Sequence, residues 1–204
     1  MAVDYRLKAI PTVYNGRRYR SRLEAKWAAF FDLMCWQFEY EPQDMGTWSP
    51  DFLLIGTALT ASVEVKPISA FDHNIAERMA SACGDDKTTR PVLLGFSPFL
   101  VDVSYNPTWN ISGAEIGWGA RVCPNTGKYL WTPCYAGRCA DCFDIYSISH
   151  VQPYPNEHSI TRGLLYGKTH VYDPNPPWGW RRHAELVKTM WDNACNTVQW
   201  NPGT

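Results

Sequence analysis

Two short apolar segments separated by a few residues constrain the fold of this chain more than any other feature. The first reads Pro50-Asp51-Phe52-Leu53-Leu54-Ile55 and the second Ala61-Ser62-Val63-Glu64-Val65-Lys66, closed by Pro67. Side chains alternate along a strand, so Glu64 and Lys66 share one face while Val63 and Val65 turn to the core. The segments predict two strands, 50–55 and 61–66, the first headed by an acid and the second carrying an acid–lysine pair. A carboxylate from each strand with an ammonium beside them is a donor set for a hard divalent cation and an attacking water.

The surrounding sequence supplies the rest of a layered domain. Asn15-Gly16 is a strong turn signal inside residues 14–19 and predicts a hairpin there. Ser21 opens a helix over residues 21–36, where Leu23, Trp27, Phe30, Phe31 and Met34 form one apolar stripe. A strand is predicted over 38–41, ended by Pro42, and a second helix over 74–83, stopped by Gly84. Residues 91–95, Pro-Val-Leu-Leu-Gly, read as a buried strand. The order is helix, three strands, helix, strand: an α/β arrangement with a helix on each side of one sheet.

That order, with Pro50-Asp51 and Glu64-Val65-Lys66 on adjacent strands, resembles the PD-(D/E)XK nuclease superfamily and its restriction-endonuclease-like core. The likeness includes Glu24 on the first helix, where many members carry an acid, the phrase Tyr19-Arg20-Ser21-Arg22-Leu23-Glu24, and Tyr40-Glu41-Pro42. It spans residues 14 to about 97 and is similar in particular to small phage-encoded nuclease-like proteins and to endonuclease subunits that cut transposon ends. The resemblance implies phosphodiester hydrolysis that leaves a 5′-phosphate.

The chemistry also follows from the residue types. Mg²⁺, or Mn²⁺ in its place, takes near-octahedral oxygen ligands and keeps several waters. Asp51, Glu64 and the Val65 carbonyl are the expected ligands, joined by a DNA phosphate oxygen, with Glu24 reaching the same site from the helix. The metal polarises the phosphate and lowers the pKa of a bound water; Lys66 orients that water or stabilises transition-state charge. Structural alternatives stand beside these roles. Ser21-Arg22-Leu23-Glu24 is a capping box in its own right, Asp51 after a proline can simply begin a strand, and Glu64 with Lys66 can form an ion pair on a solvated face. The joint occurrence of all four favours the site.

Arg17, Arg18, Arg20 and Arg22 form a basic run before the first helix and are the expected DNA phosphate contacts; a solvated hairpin rim is the alternative. Arg181 and Arg182, among Trp178 and Trp180, offer a second basic point where exposed rings could stack on bases, although such rings more often fill a core. Cys123, Cys134, Cys139 and Cys142 lie within twenty residues and fit a structural, four-thiolate Zn²⁺ site; buried free thiols are the alternative. Cys35, Cys83 and Cys195 fall on predicted helices and read as core thiols. The histidines, His73, His150, His158, His170 and His183, show no ligand spacing, though His150 or His158 could replace one cysteine. Residues 151–180 read as a long loop with short strands. Residues 182–198 return to a helix whose Val187, Met190, Trp191, Ala194 and Val198 form a packing face.

The chain therefore divides into a nuclease-like core (1–118), a cysteine-rich zinc-binding insertion (119–150) and a loop with a C-terminal helix (151–204). With 204 residues, 45% of them apolar, it can bury a substantial core, and no stretch approaches a membrane span. The start lacks a signal pattern and the seven cysteines are odd in number, which predicts an intracellular protein, in the host-cell cytoplasm if phage-encoded. The net charge of −1 leaves nucleic-acid binding to the placement of charge. The expected activity is metal-dependent DNA cleavage, by a homodimer or within a larger phage DNA-processing complex. Two rivals remain at this stage: a catalytically silent protein of the same fold, serving as a phage adaptor or an inhibitor of host defence, and a zinc-dependent DNA-binding module.

Overall fold

A computed structural model describes residues 9–42, 44–56, 60–84, 89–100, 114–122, 129–139, 142–147, 160–163, 169–171 and 180–199. Strands β1 (Thr12–Tyr14) and β2 (Arg17–Tyr19) form the hairpin expected at Asn15-Gly16. Both turn residues have positive φ, 47° and 73°, which an asparagine and a glycine tolerate.

Helix α1 (Arg22–Leu33) follows, with Ser21 as its N-cap: the Ser21 hydroxyl oxygen accepts from the Glu24 N–H at 3.1 Å. The helix ends earlier than its apolar stripe predicts. Met34 caps it, and Cys35 takes φ 57°, turning the chain so that Trp36 folds back into the core. Cys35 is consequently exposed and lies outside the helix, a correction to its reading as a core thiol.

Strands β3 (Gln37–Tyr40), β4 (Phe52–Ile55) and β5 (Thr60–Val65) form an antiparallel run. Helix α2 (His73–Cys83) then crosses over to β6 (Thr89–Leu100), which pairs parallel to β5. A parallel neighbour requires such a crossover, which accounts for the position of α2 between the two strands in sequence. Asp72 caps α2 by accepting from the N–H groups of Asn74 and Ile75, and Gly84 ends it with φ 55°.

The sheet then continues. Strands β7 (Ala114–Val122), β8 (Tyr129–Cys139), β9 (Cys142–Ser147), β10 (Ile160–Gly163) and β11 (Thr169–Val171) add on antiparallel, giving among the described residues a mixed nine-stranded sheet in the order β11-β10-β9-β8-β7-β6-β5-β4-β3. The segment read as an insertion thus consists, among the described residues, of long strands of the central sheet. Gly117 is required where β7 meets β6, because a Cβ there would lie 2.1 Å from the Leu93 carbonyl oxygen.

Helix α3 (Trp180–Thr197) packs on α1, and Val187, Trp191, Ala194 and Val198 of this C-terminal segment are buried, as its sequence face predicts. The α1 layer is the larger core. It holds Trp27, Phe30, Phe31, Phe52, Leu54, Val63 and Val92, all fully buried, with the Trp27 and Trp191 rings 4.6 Å apart. Full burial of each such large side chain contributes about 1.5–3 kcal/mol. The opposite face is smaller: Trp48, Ile68, Ile75, Met79, Cys83 and Leu93, bordered by half-buried Phe71, Trp118 and Trp131. Among the described residues no helix is long and apolar enough to cross a membrane.

Candidate active site

Strand alternation decides where the acids point. In β4 and β5, Phe52, Leu54, Val63 and Val65 enter the α1 core, so Glu64 projects from the opposite face. Asp51, immediately ahead of β4, is brought against the end of β5. Its side chain is 2% exposed and that of Glu64 is 5% exposed. Two carboxylates this deeply buried need partners, and the partners are arranged alike.

Each carboxylate has one oxygen held by a neutral N–H. Asp51 Oδ2 accepts from the Val65 backbone N–H at 2.8 Å, and Glu64 Oε2 accepts from the Trp48 indole at 2.7 Å. The other oxygen of each faces cations. Glu64 Oε1 lies 2.6 Å from Lys66 Nζ and 3.7 Å from an Arg78 guanidinium nitrogen, while Asp51 Oδ1 takes the Arg20 guanidinium. Lys66 Nζ is also 3.9 Å from Asp51 Oδ2, so one ammonium bridges both acids. Burial foremost, then the neighbouring Glu64 charge, push the Asp51 carboxyl up to about 7, against the opposing pull of Lys66 and the Val65 N–H.

Glu24 is buried as well, but it is held differently. Its Oε1 accepts from the Ser21 hydroxyl at 2.8 Å; its Oε2 accepts from Tyr40 OH at 2.5 Å and from the Arg20 backbone N–H at 3.2 Å. The Ser21 half of the capping box is formed, while the Glu24 carboxylate turns to the Ser21 hydroxyl and to the N–H of Arg20, one residue ahead of the cap. Arg20 links Glu24 to the strand acids, since its Nε stands 3.8 Å from Glu24 Oε2 while another of its nitrogens holds Asp51. Burial raises the Tyr40 phenol pKa, and the hydrogen bond to Glu24 adds to it. Burial of Arg20 works against its charge, yet Asp51 and then Glu24 raise its pKa.

The structure thus brings together Glu24, Asp51, Glu64, Lys66 and Arg20. Val65 contributes its N–H to Asp51 and buries its side chain at the end of β5. Arg17 and Arg18 are exposed on the hairpin, and Arg22 is half-buried at the start of α1 with its Nε unpaired. Two participants carry no sequence signal that marks them: Trp48 lies in a loop and Arg78 reaches across from α2. Glu41, which follows β3, belongs to the Tyr40-Glu41-Pro42 phrase, but its partner is not legible there. Glu41 lies 2.9 Å from Arg20 Nε, in a backbone conformation with φ 49°.

The donor set fits a hard cation in kind. Two oriented carboxylates each present one oxygen that, among the described residues, meets no neutral hydrogen-bond donor and is already faced by positive charge. Waters and a substrate oxygen would complete the shell. Among the described residues no group of three or more His, Cys, Asp or Glu side chains converges as a metal site.

The cysteines are distributed otherwise. Cys134 is fully buried in the α1 core, and burial raises its thiol pKa. Cys139 lies five positions further along β8, about 16 Å away at strand spacing, and pairs in register with Cys142. Cys123 lies outside the described residues, as do His150, His158 and Trp178. Cys83 is buried at the end of α2, Cys195 is half-buried on α3, and His73 is exposed.

Comparison of the chain with protein-family models, with curated proteins and with solved structures finds no match.

Proposed function

We propose that this protein is a metal-dependent DNA endonuclease that hydrolyses phosphodiester bonds. The observation that carries the reading is the matched pair Asp51 and Glu64: each is buried, each has one oxygen fixed by a neutral N–H, and each has its other oxygen beside a cation, with Lys66 reaching both. An ion pair kept only for stability does not need this, because a buried pair seldom outperforms apolar residues of similar volume. The run α1, β3, β4, β5, α2, β6 with β5 and β6 parallel supports a restriction-endonuclease-like core.

In this reading Asp51 Oδ1 and Glu64 Oε1 hold Mg²⁺ or Mn²⁺, aided by the Val65 carbonyl. When bound, the ion supplies polarisation of a phosphate oxygen and a more acidic water. Trp48 and the Val65 N–H keep the two carboxylates from rotating away, so little reorganisation accompanies substrate binding. Lys66, half-buried beside both acids, stabilises charge that develops on the phosphate or orients the attacking water. Glu24 acts as a positioning residue, fixing Tyr40 and the Arg20 backbone. Arg17 and Arg18 are free to meet DNA phosphates from the hairpin.

The test is a Mg²⁺ and Mn²⁺ titration on labelled single strand, duplex, flap and four-way junction DNA, run beside a Glu64→Ala/Lys66→Ala variant. Cleavage by the wild type alone is the expected result, and the preferred substrate identifies its task. No cleavage with either metal on any DNA would overturn the reading. One observation favours a second reading, a catalytically silent binding protein: Asp51 and Glu64 are already neutralised by Arg20, Lys66 and Arg78. DNA or protein binding that persists without metal would support it.

A further inference from the structure

The Arg20 head group occupies the acidic centre from outside. Its backbone is fixed, because its N–H donates to Tyr40 OH at 2.9 Å and to Glu24 Oε2 at 3.2 Å. Its side chain is 57% exposed, so the guanidinium can leave without unpacking a core. Inward, it touches carboxylates from three separate places in the chain: Glu24 on α1, Glu41 after β3 and Asp51 before β4. The Asp51 contact is to Oδ1, the oxygen not used by the Val65 N–H and hence the one left for a metal. Guanidinium and divalent ion therefore compete for one atom.

Charge balance points the same way. With Arg20, Lys66 and Arg78 in place the buried acids are compensated; adding a doubly charged ion makes the centre over-positive, and the most exposed of the three cations is Arg20. A guanidinium released there is a planar fork suited to phosphate, next to the exposed Arg17 and Arg18. Glu41 pairs with this arginine at 2.9 Å, so removing its charge would loosen the guanidinium.

We propose that Arg20 is an exchangeable cation of the active centre: Asp51, Glu24 and Glu41 hold it in the metal-free protein, and divalent-ion binding releases it to hold a DNA phosphate. The inference rests on the metal-dependent reading above. It makes metal and DNA binding mutually reinforcing through one side chain, and it gives Arg20 opposite effects on the two ligands.

The experiment titrates Mn²⁺ alone, by calorimetry, into wild type, Arg20→Gln and Glu41→Gln. A second titration measures a short duplex in Ca²⁺, and without it, by fluorescence anisotropy. Arg20→Gln should bind Mn²⁺ about tenfold more tightly, the worth of one charge-assisted contact, and should lose about tenfold of the Ca²⁺-dependent gain in duplex affinity. Its salt slope should fall by about one phosphate contact. Glu41→Gln should tighten Mn²⁺ by a smaller factor and leave duplex affinity at the wild-type level or above. Circular dichroism of each variant confirms folding. Wild-type Mn²⁺ binding with the same or weaker binding in Arg20→Gln would overturn the role of Arg20 while leaving the metal centre standing. Absence of Mn²⁺ binding in every protein would instead overturn the metal centre, and this inference with it.

Discussion

The two faces of the sheet each bury a glutamate, and they treat it in opposite ways. On the α1 face, Glu24 is surrounded by neutral donors, the Ser21 and Tyr40 hydroxyls and the Arg20 N–H, and among the described residues the Arg20 Nε at 3.8 Å is the one cation paired with it. On the α2 face, Glu64 has one indole N–H and otherwise faces Lys66 and Arg78. The first arrangement satisfies a carboxylate and fixes the start of a helix. The second orients a carboxylate and leaves its remaining oxygen to be shared between two partly exposed cations. Burial alone thus does not mark a chemical group; what matters is whether its partners are fixed or exchangeable.

The contrast can be sharpened by substitutions on each face. The largest stability effect belongs to the α1 layer. Trp27 is fully buried and its indole donates to the Gly95 carbonyl at 2.9 Å. Trp27→Ala should cost about 3–5 kcal/mol in urea unfolding, from the cavity and the orphaned carbonyl together. The α2 face has a smaller core, and its sensitive position is one that serves the acid. Trp48→Phe keeps the ring and deletes the N–H, which should cost about 1–3 kcal/mol by leaving one Glu64 oxygen unsatisfied. It should also weaken Mn²⁺ binding by roughly tenfold to a hundredfold, as loss of an outer-shell partner does. Equal Mn²⁺ binding by Trp48→Phe and wild type would show that Glu64 needs no orientation.

Ser21→Ala tests the other glutamate. Loss of this N-cap should cost about 1 kcal/mol, measured by thermal unfolding, with Mn²⁺ affinity changed far less than by Trp48→Phe. The subtlest prediction is a slope. With its folded pKa raised to about 7 from the usual 3.8, Asp51 binds more protons folded than unfolded between those values. Metal-free stability from this group is therefore fully present below the unfolded pKa and is lost as pH rises towards 7. Urea unfolding of wild type and Asp51→Asn across that window should show the variant gaining relative to wild type with rising pH; parallel curves would contradict the burial of a charged Asp51.

Much of this organisation is legible in the sequence, for identifiable reasons. Asn15-Gly16, Ser21 and Gly84 mark turns and caps by local chemistry, and the stripe from Leu23 to Phe31 has helical period. The Val63-Glu64-Val65-Lys66 alternation assigns its acid and lysine to one face without any knowledge of the fold. What the chain conceals is set by contacts distant in sequence. Arg20 reads as one arginine in a basic run, and only the docking of the hairpin against β4 turns it towards Asp51. Trp48 and Arg78 reach Glu64 from a loop and a helix that no spacing connects to it. The length of β6 to β9 is hidden because Pro91, Pro98, Gly117 and Pro133 interrupt the alternation while pairing across the sheet sustains the strands. α1 ends at Leu33 because Cys35 turns the chain, although the apolar stripe extends to Met34.

The most direct test of the central claim is the position of bound manganese in a crystal grown with Mn²⁺, located by its anomalous scattering. The account predicts a peak within about 2.3 Å of both Asp51 Oδ1 and Glu64 Oε1, with the Arg20 guanidinium moved off Asp51. A map with no peak between those two oxygens at saturating Mn²⁺, and Arg20 still on Asp51, would contradict it.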